Sequence, residues 1–221
     1  MTFQRARSEE HREIRRRAIL DTASAMLEDM PVGEITLNEL SRRVGLAKSA
    51  MRRYFESREA VLLDLLDVQL HRWVAEISVQ LSDGDGGRAR ERGDRLAALV
   101  SRSMLRNSRL CDLIAAQPGV LEHNVSAEGL LRFKRSTHTS IGMFAEAVRR
   151  YLPELGEDSR SVCAMTLVVT GALWTYAHPS ASALAVGEAD PALAGLHLDF
   201  AADLETTLAR LITGTLARRA G

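Results

Sequence analysis

The chain has 221 residues with 29 Lys+Arg against 29 Asp+Glu, a formal net charge of zero, and is 46% hydrophobic and 26% charged. That is enough apolar material for a packed core and excludes wholesale disorder; the charge balance excludes a polycation that coats nucleic acid, though not a local basic patch. Aromatic residues make up only 5%, while Ala, Leu and Arg are abundant, so composition points to an all-α protein.

Residues 1–11 are polar and read as a mobile arm. From Arg12 to Met30, Ile19, Ala23, Met26 and Leu27 recur at helical spacing, and Pro31 and Gly33 end the helix. Thr36 with Glu39 three residues on predicts a capping box. Leu37, Leu40 and Val44 form the stripe of the short helix that follows, and Gly45 stands where a glycine can take positive φ. A second short helix is expected over Lys48–Phe55, with Met51, Tyr54 and Phe55 inward. A long helix opens at Ser57 and carries Val61, Leu62, Leu65, Leu66, Val68, Leu70, Trp73 and Ile77.

The Gly-rich, charged stretch 82–93 reads as a loop. Further helices are expected around Leu96–Leu105 and Leu110–Ala116, the second broken by Pro118-Gly119. A long helix follows Ser126, and an apolar helix spans Asp158–Tyr176. The Pro/Ser/Ala/Gly stretch 178–195 reads as a second loop, and a last helix runs from about Leu198 to Arg218. The expectation is about nine helices without strands: an N-terminal three-helix helix-turn-helix domain, 1–56, followed by a helical bundle, 57–221.

No apolar run reaches the roughly 18 residues of a membrane span, and MTFQRARSEEHREIRRR has no apolar signal-peptide core. A cytoplasmic location without membrane partners is expected. Cys111 and Cys163 read as small buried hydrophobes. His123, His138 and His178 share no helix at metal-ligand spacing, so no metal or cofactor is expected. No nucleophile elbow, phosphate loop or H-E-x-x-H motif marks catalysis.

The informative stretch is 35–62, ITLNELSRRVGLAKSAMRRYFESREAVL. Two short helices joined by a tight glycine turn form a helix-turn-helix pattern, whose second helix enters the major groove. Six basic residues and one acid lie between Arg42 and Arg58. Charge of one sign on such an element suits phosphate contact. The same stretch resembles the N-terminal domain of the tetracycline repressor (TetR) family through Thr36, Leu37, Leu40, Val44, Gly45, Leu46, Lys48, Met51, Tyr54, Phe55, Ser57 and Arg58. The resemblance implies that Thr36 and Tyr54 bond phosphates and that Lys48 and Arg58 add charge at helix N-termini. It also implies that Ser49, Ala50 and Arg52 face base edges or nearby phosphates, with Arg53 on the same side. Ala47 stands where the family often has a capping Ser or Thr, Arg52-Arg53 where it often has Tyr-His, and Glu56 where it often has Pro.

Beyond that stretch the resemblance is architectural. It implies a repressor released from a palindromic double-stranded operator by a small-molecule inducer. It also implies a homodimer formed through the last two helices, with Leu204, Leu208 and Leu211 as an interface stripe and Gly171 and Ala172 allowing close approach. Met104, Phe133, Phe144 and Trp174, with Thr137, His138 and His178 as polar groups, are the candidate lining of a pocket for an apolar or aromatic effector. The alternatives are a regulator of the same fold that answers to a protein partner or to no ligand, and an all-helical enzyme or interaction module.

Overall fold

The computed structural model describes residues 2–81, 86–190 and 198–220, and among them it contains ten α-helices and no strand. They are α1 (Thr2–Asp29), α2 (Leu37–Val44), α3 (Lys48–Met51), α4 (Arg58–Gln80), α5 (Ala89–Arg106), α6 (Ser108–Ala116), α7 (Ala127–Tyr151), α8 (Ser159–Ala177), α9 (Ala181–Ala189) and α10 (Phe200–Ala220). Short turns of tighter or wider helix fill Val32–Glu34, Gln117–Leu121 and Pro153–Asp158.

Three stretches differ from the sequence expectation. The N-terminal helix starts at Thr2, so the polar arm is helical backbone. The expected loop 82–93 ends by Arg88, where the first turn of α5 begins; its residues 82–85, with Asp83 and Asp85, lie outside the described residues. Gly93, which suggests a loop by composition, sits inside α5: a Cβ there would lie 2.8 Å from Ile212 Cγ2, so glycine permits the close α5–α10 approach. The second expected loop contains α9, started by Ser180, whose hydroxyl accepts the Ala183 N–H at 3.2 Å; its residues 191–195 are outside the described part.

The chain packs as two units. The first comprises residues 1–69 and 116–136. In it α1 packs on α2 and α2 on α3, and Ile19, Ala23, Met26, Leu40, Met51 and Phe55 are buried, as their spacing predicts. The second comprises 70–115 and 137–221, with α10 packed along α5 and against α8. Leu96, Val100, Met104, Phe144, Val148, Val162, Leu204, Leu208 and Ile212 are buried there. Burying a large aliphatic side chain contributes roughly 1.5–3 kcal/mol each, so these stripes dominate the stability of each unit. Helices α4 and α7 each contribute residues to both units.

Candidate nucleic-acid interface

The α2–α3 element is defined by local chemistry at both ends of α2. Thr36 has an extended backbone, and its Oγ1 accepts the Glu39 N–H at 3.1 Å. The reciprocal half of the predicted capping box does not form. The Glu39 carboxylate instead takes Arg42 Nε at 2.9 Å, an Arg42 Nη at 2.6 Å and Arg43 Nε at 2.9 Å. The hydrogen bonds from Arg42 and then Arg43 hold the Glu39 carboxyl down at about 2. At the other end Gly45 has φ 72°, in the left-handed region. Its N–H donates to Arg42 O at 3.2 Å and Leu46 N–H donates to Ser41 O at 2.9 Å, a Schellman closure.

The second helix is shorter than its pattern suggests. Ala47 supplies no side-chain cap, regular α geometry ends at Met51, and turns carry the chain through Tyr54 to Phe55. Met51 and Phe55 are buried, and Tyr54 is half-buried rather than fully inward. Two anchors on one side of this segment orient the remaining side chains outward. Lys48, Ser49, Arg52 and Arg53 are exposed, Ala50 is half-buried, and Thr36 is exposed at the start of α2.

Electrostatics separates the six basic residues into two groups. Arg42 and Arg43 pair with Glu39, and Arg43 also lies 3.6 Å from Asp29. Arg58 bonds Glu59 at 2.7 Å and donates to Ile35 O at 2.7 Å and Gly33 O at 3.1 Å, so its guanidinium closes the turn ahead of α2. Among the described residues no carboxylate forms an ion pair with Lys48, Arg52 or Arg53. The unneutralised charge therefore concentrates on α3 and the turn after it.

A further anchor of this segment is Arg16, on α1. One Nη donates to Tyr54 O at 2.7 Å, the other contacts Asp64, and the guanidinium carbon sits 4.3 Å from the Phe55 ring centroid. Arg16 therefore braces the recognition segment from α1. Its neighbours Arg15 and Arg17 carry the same charge, and only the packing of α1 singles it out.

The seven candidate effector residues fall in both units. Phe133 belongs to the first unit and the other six to the second. Met104, Phe144 and Trp174 are buried, Thr137 is half-buried, and His138 and His178 are exposed. Trp174 Nε1 donates to Asp112 Oδ1 at 2.6 Å, with the His178 ring 3.8 Å and the Phe200 ring 4.8 Å from its own. Phe144 packs edge-on to Trp73 at 5.0 Å, and Trp73 Nε1 donates to Ser103 Oγ at 3.0 Å. The cavity beside Phe144 has a volume of about 10 Å³, and Phe144 alone of the seven lines it. That is room for about one water.

Of the three leucines expected as an interface stripe, Leu211 is half-buried. Leu204 and Leu208 are buried inside their own unit, where α10 packs on α5 and α8. Gly171 is buried against Ile114 of α6, with its Cβ position 3.1 Å from Ile114 Cγ2. On α8, Met165, Val168, Ala172 and Tyr176 form an exposed apolar stripe, with Val168 62% and Tyr176 67% accessible. Both cysteines are buried as expected, and burial pushes the Cys111 thiol up to about 12. Among the described residues no His/Cys/Asp/Glu group could hold a metal ion, and no helix is long and apolar enough to cross a membrane.

The chain is 46% identical over 50 residues to the HTH-type transcriptional regulator EthR of Mycobacterium tuberculosis, a stretch that covers 23% of each protein. It is 40% identical over 58 residues to EthR of Mycolicibacterium smegmatis, 26% of this chain and 27% of that one. The chain thus matches only about a quarter of the length of these relatives. Among solved structures, a TetR transcriptional regulator from Rhodococcus sp. RHA1 aligns with TM-score 0.58 at 13% identity over 96% of this chain and 97% of that chain. The fatty acid degradation regulator FadR from Bacillus halodurans aligns with TM-score 0.53 at 16% identity over 90% and 95%. At these identities the likeness is one of fold. The tetracyclin repressor-like C-terminal domain model matches residues 67–219, and with that match the chain belongs to the TetR family of transcriptional regulators.

Proposed function

We propose that the protein is a repressor that binds a palindromic DNA operator as a homodimer, with α3 and the turn after it in the major groove. The observation that carries this reading is the set of unneutralised cations, Lys48, Arg52 and Arg53, exposed on a segment whose other side is anchored by Met51 and Phe55. Thr36 and Tyr54 are the proposed phosphate contacts, and Ser49, Ala50 and Arg52 the proposed base-edge contacts. Arg58 is a weaker candidate, since its guanidinium is engaged by Glu59 and two backbone carbonyls. Residues 1–56 would read DNA, and 57–221 would pair subunits and sense, in the cytoplasm.

A single recognition element makes few contacts, and a two-fold pair doubles them at half-sites about 34–36 Å apart. The α8 stripe of Met165, Val168, Ala172 and Tyr176 supplies the apolar surface for pairing. The last helix, α10, adds small outward residues such as Thr206 and Ala209. For the effector, the second unit suits an apolar or aromatic molecule by its buried Met104, Phe144 and Trp174. Beside Phe144 the space is about 10 Å³, so a molecule seated there must part the helices. That small space equally favours the second reading, a regulator that answers to a protein partner or to no ligand.

The test is selection of a duplex from a random pool, followed by titration across salt concentrations. Lys48→Ala and Arg53→Ala should each weaken binding by about 1–3 kcal/mol and lower the salt slope by about 1. Unchanged affinity and slope would overturn the assigned face.

A further inference from the structure

Helix α7 begins with half of a capping box. Ser126 Oγ accepts the Gly129 N–H at 3.1 Å, and Ser126 O accepts the Leu130 N–H at 2.9 Å. In a complete box the residue three positions on returns a carboxylate to the N-cap N–H. Here that residue is Gly129, which has no side chain. The Ser126 N–H is nonetheless bonded, at 2.8 Å, to Glu56 Oε1, from a residue 70 positions earlier. The same oxygen lies 3.2 Å from where a Cβ on Gly129 would stand. Glu56 supplies the carboxylate that the missing side chain would, and a Cβ at 129 would crowd it together with Val125 Cγ1, 3.0 Å away.

Glu56 directly follows Phe55, the inward anchor of the recognition segment. That segment, residues 54–56, is therefore held from α1 by Arg16 through Tyr54 O, and from α7 through the Glu56 carboxylate. An acid also suits the positive end of the α7 dipole. Helix α7 contributes residues to both units. A shift or rotation of its first turn breaks the Glu56 bond or pulls residues 54–56 with it.

We propose that Glu56 is a positioning residue that completes the α7 capping box from outside the helix, and so couples α7 to the recognition segment. Its consequence and its affinity measurement rest on the DNA-binding reading above; its exchange measurement does not. Two variants separate coupling from simple capping. Glu56→Ala removes the carboxylate. Glu56→Ala with Gly129→Glu restores the box within α7 while leaving the recognition segment unattached.

The first measurement is amide hydrogen exchange of the full chain without DNA. Glu56→Ala should speed exchange of the first-turn amides of α7 and of residues 52–56 by about three- to tenfold, the range of a lost cap. Adding Gly129→Glu should restore the α7 amides but leave residues 52–56 fast. The second measurement is affinity for the duplex selected by the wild type, which should fall in both variants by a similar factor. Recovery of residues 52–56 together with α7, or no change at 52–56 in either variant, would overturn the coupling. A wild type that selects no duplex would refute the functional reading, and the exchange pattern would still decide the coupling.

Discussion

Single charged groups in the first unit have contrasting environments, and pH distinguishes them. Glu39 is held low by two arginines, whereas burial raises Asp64 above its ordinary 3.8 despite the Arg16 guanidinium beside it. A raised carboxylate binds its proton more tightly folded than unfolded. Charged Asp64 therefore carries a burial cost that is relieved as pH falls through its folded value toward 3.8. Asp64→Asn cannot titrate. Wild type should accordingly gain stability relative to Asp64→Asn over that acidic window, as read by urea unfolding at stepped pH. A difference that stays constant, or that moves in favour of Asn on acidification, would contradict the half-buried, proton-retaining Asp64. Which arginine braces which segment was not legible from the run Arg15-Arg16-Arg17, because three like residues in a row differ only in the helix face they present.

At the scale of elements, α2 is the part whose local code and structure agree most closely. Thr36 and Gly45 act within a few residues of themselves, so their roles survive any tertiary rearrangement. Thr36→Ala should cost about 1 kcal/mol for the lost cap, and Gly45→Ala about 1–2 kcal/mol for a Cβ at φ 72°. Thermal unfolding of the two single variants checks both, and a neutral Gly45→Ala would mean that the turn relaxes out of the left-handed region. Helix α3 was less legible, since Ala47 provides no cap and the apolar spacing of Met51 and Phe55 is satisfied by turns as well as by helix. Gly93 and the stretch 181–189 show the opposite failure. Composition there suggests loops, but close packing on Ile212 and a serine cap at Ser180 make helices.

For the whole molecule the decisive question is which apolar stripes remain uncovered. Leu208→Glu would place a charge in the core of its own unit and should unfold it, since Leu208 is 1% accessible. Val168→Glu, on the exposed α8 stripe, should leave the monomer folded and shift sedimentation from dimer to monomer at micromolar concentration. A wild type that already sediments as a monomer, or a Val168→Glu variant that stays dimeric, would remove α8 from the interface.

Much of what neighbours along the chain set was present in the sequence: the helical periodicities, the Thr36 cap, the Gly45 turn, the Ser126 hydroxyl at α7 and the basic face from Lys48 to Arg53. These depend on spacings of three to five residues, which backbone geometry reads directly. Periodicity shows that a helix face is apolar but not what covers it. Only the tertiary structure therefore decided that Leu204 and Leu208 are buried inside their unit while Val168 is exposed. It likewise decided that Arg58 closes a turn instead of standing free, and that a carboxylate 70 residues away completes the cap that Gly129 leaves open. Such pairings join distant positions, and no local pattern specifies them.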